Sequence, residues 1–330
     1  MMKAYVLSSY GSPDALELKH LDQPAPGPGE VLVRVRAASV QPADWHLMRG
    51  EPFISRLMPG PLGLRRPKIT ILGADVAGEV AAVGPGVTGF APGDEVYAMV
   101  AKGGGFAEYV CVPETELAPK PASLSFEEAA AVPLAACTAL LALRDQGGVR
   151  PGRRVLVNGA SGGVGTFAVQ LAKAYGAHVT GVCSTRNLDL VRSLGADEVI
   201  DRTKEDFTRG GQVYDVLLYI AGNRSFSECR RVLARRGVCV LIGGAASRWL
   251  QPAGHVFATL AASAFVSQKA VLTDVLSTTG NRRNLEELTA LVEDGRLTPV
   301  VDRVYDFEEL RAAIRYQEEG QAPGKVVVRV

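Results

Sequence analysis

Along the first part of the chain, apolar and polar positions alternate with the two-residue period of half-buried strands. Val31, Val33 and Val35 are interleaved with Arg34 and Arg36, and segments 72–83, 94–99 and 106–112 read as further strands. Turn signals separate them, among them Gly84-Pro85-Gly86 and Pro92-Gly93-Asp94. An all-β unit is expected here, with Met1–Leu7 as its first strand. From about residue 123 the period changes. A helical stretch over 125–147 leads into short apolar runs at 155–158, 178–183, 198–201, 214–220 and 237–242, with helix-period sequence between them. That order predicts a doubly wound parallel sheet. Near the end, Asp306-Phe307-Glu308-Glu309 has the spacing of a capped helix start. The last run, 325–330, is a strand expected to return to the first unit.

The segment Val155–Gly165 carries the first chemistry. A buried strand runs into a glycine turn, Ala160-Ser161-Gly162-Gly163-Val164-Gly165, and Val164, Phe167, Ala168, Leu171, Ala172 and Tyr175 then share a helix face. Strand, glycine turn and helix N-terminus together suit a dinucleotide pyrophosphate. Alanine stands at the first glycine position, so the spacing reads Ala160-x-Gly162-x-x-Gly165. An NAD site would place an acidic residue about 20 residues further on. Ser184-Thr185-Arg186-Asn187 stand there instead. Hydroxyls and a guanidinium suit a 2′-phosphate, so NADP(H) is the expected cofactor. Ser184 and Thr185 also suit helix capping, and Arg186 also suits a solvated surface. Arg202, after the 198–201 strand, is a second candidate cation for the adenosine end.

Composition narrows the class. The chain has 330 residues, enough for two cores. A net charge of +1 gives no field for nucleic acid or a membrane surface. No apolar run is long enough to span a bilayer, and the N-terminus lacks a secretory pattern. The five cysteines are scattered in apolar runs, as buried thiols in a reducing cytoplasm would be.

Val31–Trp45 (VLVRVRAASVQPADW), Ile71–Val83 (ILGADVAGEVAAV), Pro92–Val96 (PGDEV), Asn158–Lys173 (NGASGGVGTFAVQLAK) and Leu194–Asp201 (LGADEVID) resemble the medium-chain dehydrogenase/reductases. Within that superfamily they are similar to the zinc-independent quinone oxidoreductases of the zeta-crystallin-like branch. The resemblance implies a GroES-like β-barrel catalytic domain, 1–122 and 268–330, and an inserted Rossmann NADP(H)-binding domain, 123–267. It also implies a homodimer joined edge to edge through Ala264-Phe265-Val266-Ser267. Nicotinamide contacts are implied at Thr138, Ala221, Gly243 and Val266. They add to the loop contacts at Ala160, Ser161, Gly162, Gly163 and Val164 and the phosphate contacts at Ser184, Arg186, Asn187 and Arg202.

Zinc-dependent relatives place a cysteine after the 31–40 strand and a His-Glu pair in a Gly-His-Glu motif. Here those places read Val40-Gln41-Pro42-Ala43-Asp44 and Leu72-Gly73-Ala74-Asp75, without thiolate or imidazole. Cys111 is alone in its region, and the four histidines have no ligand spacing. No metal site is expected. Hydride donation to a quinone or an α,β-unsaturated carbonyl remains, because conjugation spreads the developing charge without a Lewis acid. Gln41 stands where the family has an Asn that contacts substrate or nicotinamide, and Asp44 is the matching acidic residue or a turn cap. The next loop, Gly50-Glu51-Pro52-Phe53, lacks the tyrosine proton donor of some enoyl reductases, so solvent is the expected proton source. The apolar side chains of loop 51–68 suit a substrate pocket wall or their own domain's core. A biosynthetic enoyl or ketone reductase and a non-catalytic NADPH-binding protein stay open as alternatives.

Overall fold

The computed structural model describes residues 1–57, 60, 62–222, 224–243, 253–273 and 281–330. In chain order the elements begin with strands β1 (Met2–Leu7), β2 (Leu16–Leu21) and β3 (Glu30–Val40), helix α1 (Pro42–Arg49), and strands β4 (Asp75–Val83), β5 (Glu95–Met99), β6 (Tyr109–Pro113) and β7 (Leu117–Pro119). Helices α2 (Phe126–Ala130) and α3 (Pro133–Leu141) follow, then β8 (Arg154–Asn158), α4 (Gly163–Ala174), β9 (His178–Cys183), α5 (Leu188–Ser193), β10 (Glu198–Asp201) and β11 (Tyr214–Tyr219). The chain continues through α6 (Phe226–Cys229), β12 (Leu233–Leu241), α7 (Ala253–Ser263), β13 (Lys269–Leu272), α8 (Arg282–Glu293), β14 (Val301–Asp306), α9 (Leu310–Glu318) and β15 (Lys325–Arg329).

Two compact units result. The first comprises Met1–Cys137, Leu276–Gly295 and Pro299–Val330, and the second Thr138–Val275 with Arg296–Thr298. In the first unit β14-β15-β3-β4-β5-β7 form one sheet with β6 paired to β3, and β1-β2 form a ribbon. The final strand does return to this unit: β15 lies antiparallel to β3, with Val326 opposite Val40 and Val328 opposite Ala38. Val31, Val33, Val76, Val96, Phe106, Val326 and Val328 fill its core, each such side chain contributing about 1.5–3 kcal/mol by burial.

In the second unit the strand order is β10-β9-β8-β11-β12-β13, with every pairing parallel. This is the doubly wound order of dinucleotide-binding sheets, whose ligands lie beyond the carboxyl ends of the strands where the order reverses. Both faces of such a sheet are covered. Hence Val155, Leu156 and Val157 are all fully buried, and the run is continuously apolar. The helix after the glycine loop is likewise buried on more than one face, from Gly165 through Ala172.

Several expectations are corrected. The 125–147 helix is interrupted: Pro133 lacks an N–H and starts a new helix, and Ala142–Gln146 then widens into a π-type turn. The strand placed at 72–83 starts only at Asp75, and the one at 106–112 lies at Tyr109–Pro113. The strand at 237–242 starts earlier, at Leu233, carrying the exposed Arg235 and Arg236 before its apolar run. Residues 264–267 form a turn after α7, and the outer strand is Lys269–Leu272. The strand that the resemblance implied at 264–267 is thus replaced by the turn between α7 and β13.

Candidate functional site

The second unit gathers most of the expected cofactor residues at one edge. Ala160–Gly162 link β8 to α4, which Gly163 and Val164 begin, Ser184–Asn187 follow β9, Arg202 follows β10, Ala221 follows β11 and Gly243 follows β12. In a parallel sheet all of these are carboxyl ends. Hydrogen bonds join them: Gly159 and Ala160 donate their N–H groups to Val182 O at 3.1 and 3.0 Å, and the Arg202 N–H donates to Cys183 O at 2.9 Å. The Asn187 amide donates to Ser161 Oγ at 2.9 Å, tying the turn after β9 to the glycine loop. The Asn158 amide donates to Ala221 O, tying the end of β8 to the loop after β11.

The glycine loop fits a dinucleotide. A Cβ on Gly165 would stand 2.0 Å from Gly159 O, so only glycine lets α4 approach the strand this closely. A Cβ on Gly162 would meet only Gly159 O, at 3.6 Å, leaving open space over the loop. Gly162 is the N-cap of the 12-residue α4 and no side chain caps it. The first-turn N–H groups and the positive dipole end suit a pyrophosphate.

Two placements differ from expectation. Val266 precedes β13 and therefore lies at the amino-end edge of the sheet, packed against the core with Val256 and Leu260. It is not brought to the glycine loop, because the strand begins five residues later, at Lys269, than the 264–267 strand the resemblance implied. The carboxyl end of this strand is Leu272, followed by the buried Thr273, whose hydroxyl bonds Gln146. The short run Ala270-Val271-Leu272-Thr273 was the available signal. The Thr185 hydroxyl is also committed: it donates to Asp201 Oδ2 at 2.6 Å, and Thr203 Oγ1 donates to Asp201 Oδ1 at 2.7 Å. A carboxylate on the neighbouring strand thus stands beside the turn, leaving Ser184 and the exposed Arg186 as its phosphate-binding candidates. Thr138 is buried in the second turn of α3.

Gln41 and Asp44 lie in the first unit, inside a polar cluster that sequence reading missed. Each is only 2% exposed. Asp44 accepts the N–H of Gln41 at 2.8 Å and of Gly73 at 3.0 Å. The centre of the cluster is Asp75, fully buried at the start of β4. Its Oδ2 accepts from Ser39 Oγ and Gln41 Nε2, both at 2.8 Å, and its Oδ1 from the Leu134 N–H at 2.8 Å. Lys325 Nζ stands 3.5 Å from Oδ2, itself 4% exposed. Burial pushes the Asp44 carboxyl up to about 7, against its two N–H donors, with the Asp75 charge raising it further and Lys325 lowering it. Burial also raises Asp75 and lowers Lys325, while each holds the other toward its charged form. The only sequence signal was polar residues heading apolar runs, Asp75 before Val76 and Lys325 before Val326.

The profile of the alcohol dehydrogenase GroES-like domain matches residues 27–122, and that of a zinc-binding dehydrogenase matches 194–328. The chain is 35% identical to a chloroplastic quinone-oxidoreductase of Triphysaria versicolor, over 99% of its length and 98% of the relative's. It is 35% identical to a mitochondrial NAD(P)H oxidoreductase of Mus musculus, over 100% and 89% of the two lengths. A quinone oxidoreductase structure from Coxiella burnetii superposes with TM-score 0.87 at 28% identity, covering 100% of this chain and 99% of that one. The chain belongs to the medium-chain dehydrogenase/reductase superfamily, in its quinone oxidoreductase-like branch. The zinc of that profile's description does not fit the donors present. Asp75, in the Gly-His-Glu position, is occupied by four donors including an ammonium. Among the described residues no His/Cys/Asp/Glu group of three or more is placed to hold a metal.

Proposed function

We propose that this chain is an NADPH-dependent, zinc-independent oxidoreductase that passes hydride to quinones or α,β-unsaturated carbonyl compounds. The observation that carries the reading is the shared carboxyl-end edge of the parallel sheet: an open glycine loop, an uncapped helix N-terminus, and a turn after β9 bearing Ser184 and Arg186. The relatives named quinone and NAD(P)H oxidoreductases support it.

The cofactor supplies hydride when bound. The first-turn N–H groups of α4 would hold its pyrophosphate, and Gly162 and Gly163 let the backbone approach. Ser184 and Arg186 would take the 2′-phosphate, with Asn187 holding the turn to Ser161 and Arg202 adding positive charge nearby. Ala221, Gly243 and Thr138 are the candidates for the nicotinamide. Since Gln41 and Asp44 are almost wholly buried, they act as supports, and solvent supplies the proton. The small-molecule acceptor is an activated alkene or quinone, which needs orientation and hydrogen bonding more than acid catalysis. A second copy of the chain is expected along β13, the outer strand of the parallel sheet. The buried cysteines suit a reducing compartment such as the cytoplasm, and no helix among the described residues is long and apolar enough to cross a membrane.

The test is loss of reduced-cofactor absorbance by chelator-treated protein, over a panel of quinones, enals, enones, acyl-thioester enoyl substrates and simple ketones. Turnover of quinones or enones with NADPH preferred over NADH, unchanged by chelator, is the expected result. Turnover of the thioesters with quinones inert selects a biosynthetic enoyl reductase. Tight NADPH binding without any turnover selects a binding protein. For the phosphate assignment, Arg186→Ala is expected to raise the NADPH Kd by about 10-fold or more and leave the NADH Kd nearly unchanged. An unaltered NADPH Kd would remove Arg186 from the site.

A further inference from the structure

The polar cluster of the first unit connects five chain segments through one carboxylate. Asp75 opens β4 and accepts Ser39 from β3, Gln41 from the start of α1, and the Leu134 N–H from the first turn of α3, while Lys325 reaches it from β15. An ionised carboxylate only accepts, so the Gln41 amide nitrogen must face it and the side chain has one orientation. A carboxylate at the first turn of α3 also complements that helix's positive end, and Thr138 lies one turn further along the same helix. Asp44 fixes the other side of Gln41 through its N–H, and holds Gly73, two residues before Asp75.

We infer that Asp75 and Lys325 are positioning residues for turnover, which set Gln41 and the start of α3, and that Asp44 is the member of this buried group whose ionisation loosens it. The inference rests on the reductase reading for its kinetic consequence. Two carboxyls and one ammonium share a space closed to water. The charged groups facing Asp44 are Asp75 from β4 and Lys325 from β15; its remaining partners are the Gln41 and Gly73 N–H groups. A proton on Asp44 relieves its burial cost and the repulsion from Asp75; the closed cluster takes up that proton more readily than a hydrated one, so ionisation is the change that loosens the hold on α1. The rate should therefore fall as pH rises through the Asp44 transition, although this carboxyl touches no substrate.

The experiment reads carboxyl titration and rate together. In the whole protein, carboxyl-carbon NMR of Asp44, assigned with Asp44→Asn, is expected to show titration near neutrality. Asp75→Asn removes the like charge and should lower that transition by about one pH unit; Lys325→Met removes the opposite charge and should raise it by a similar amount. The ratio of kcat at about pH 6 to kcat at about pH 8 should then rise about 5-fold in the first variant and fall about 5-fold in the second. A residue that only stabilises the fold would change the amount of active protein and leave this ratio alone. If Lys325→Met does not fold, the wild type and Asp75→Asn still decide the matter. Asp44 titrating in the ordinary carboxylate range, or a ratio unmoved by Asp75→Asn, overturns the inference. If no acceptor on the panel is reduced, the reductase reading fails by itself, and the NMR titration still tests the coupling among the three groups.

Discussion

Asp44 is a carboxyl whose burial cost is opposed by two N–H donors, with the balance pushing its titration up to about 7. A folded-state pKa above the unfolded value near 3.8 means that the folded form binds the proton more tightly. Its stabilising contribution is complete below the unfolded pKa and is lost as pH rises through about 7. His46 and His255, both lowered by burial, act in the opposite sense over part of that window. The useful quantity is thus a difference between two proteins. Relative to Asp44→Asn, the wild type should gain roughly 1.4 kcal/mol per pH unit on acidification from about 7 to about 5, read from urea unfolding at each pH. A constant difference would show that Asp44 titrates normally. At this scale the sequence was readable where neighbours in the chain act together, as with Ala160–Val164 and Ser184–Asn187. It was unreadable where partners lie far apart: nothing in the spacing joins Asp75 to Lys325, or places Asp201 against Thr185.

The strand–loop–helix of β8 and α4 is the element to which the proposed function assigns cofactor binding, and its glycines have separable duties. At Gly165 a Cβ would collide with backbone at Gly159 and Ala160, which cannot yield as a flexible side chain would. Gly165→Ala should therefore cost about 1–3 kcal/mol of stability and weaken NADPH binding, seen as a lowered thermal midpoint without ligand. At Gly162 a Cβ meets only an oxygen at ordinary contact distance. Gly162→Ala should leave the unliganded midpoint nearly unchanged and still raise the NADPH Kd, because the methyl group fills the approach to the loop. Equal midpoints for both variants would contradict this division. The same element explains why periodicity worked where it did. Short apolar runs bounded by glycine turns are legible as parallel strands, since burial on both faces leaves little choice of residue. The 125–147 stretch was misjudged because an apolar run does not mark where a buried helix breaks, and the strand implied at 264–267 came from the resemblance and not from periodicity. Pro133 settled that break only in combination with packing, and the outer strand lies at Lys269–Leu272.

At the scale of the whole molecule the parallel sheet has two outer strands of unlike character. β10 reads Glu-Val-Ile-Asp, with its last carboxylate engaged by Thr185 and Thr203. β13 reads Lys-Ala-Val-Leu, with Leu272 45% exposed and, in the preceding turn, Phe265 88% exposed. Charge blunts the first edge against further pairing, whereas the second offers unpaired backbone groups beside apolar side chains. A two-fold axis beside β13 would pair it with its own copy and cover those side chains on both chains at once, as isologous interfaces do. The resemblance suggested pairing through 264–267; the structure moves the expected strand to 269–272 and leaves Phe265 as flanking apolar surface. Sedimentation of the wild type should give twice the chain mass. Phe265→Ser with Leu272→Lys should give single chains that keep their NADPH affinity, since neither residue is at the carboxyl-end loops of β8 to β12. Dimers that persist in that variant would move the interface to another face. Monomers that also lose the cofactor would mean that the pairing of β13 supports the glycine-loop edge through the sheet.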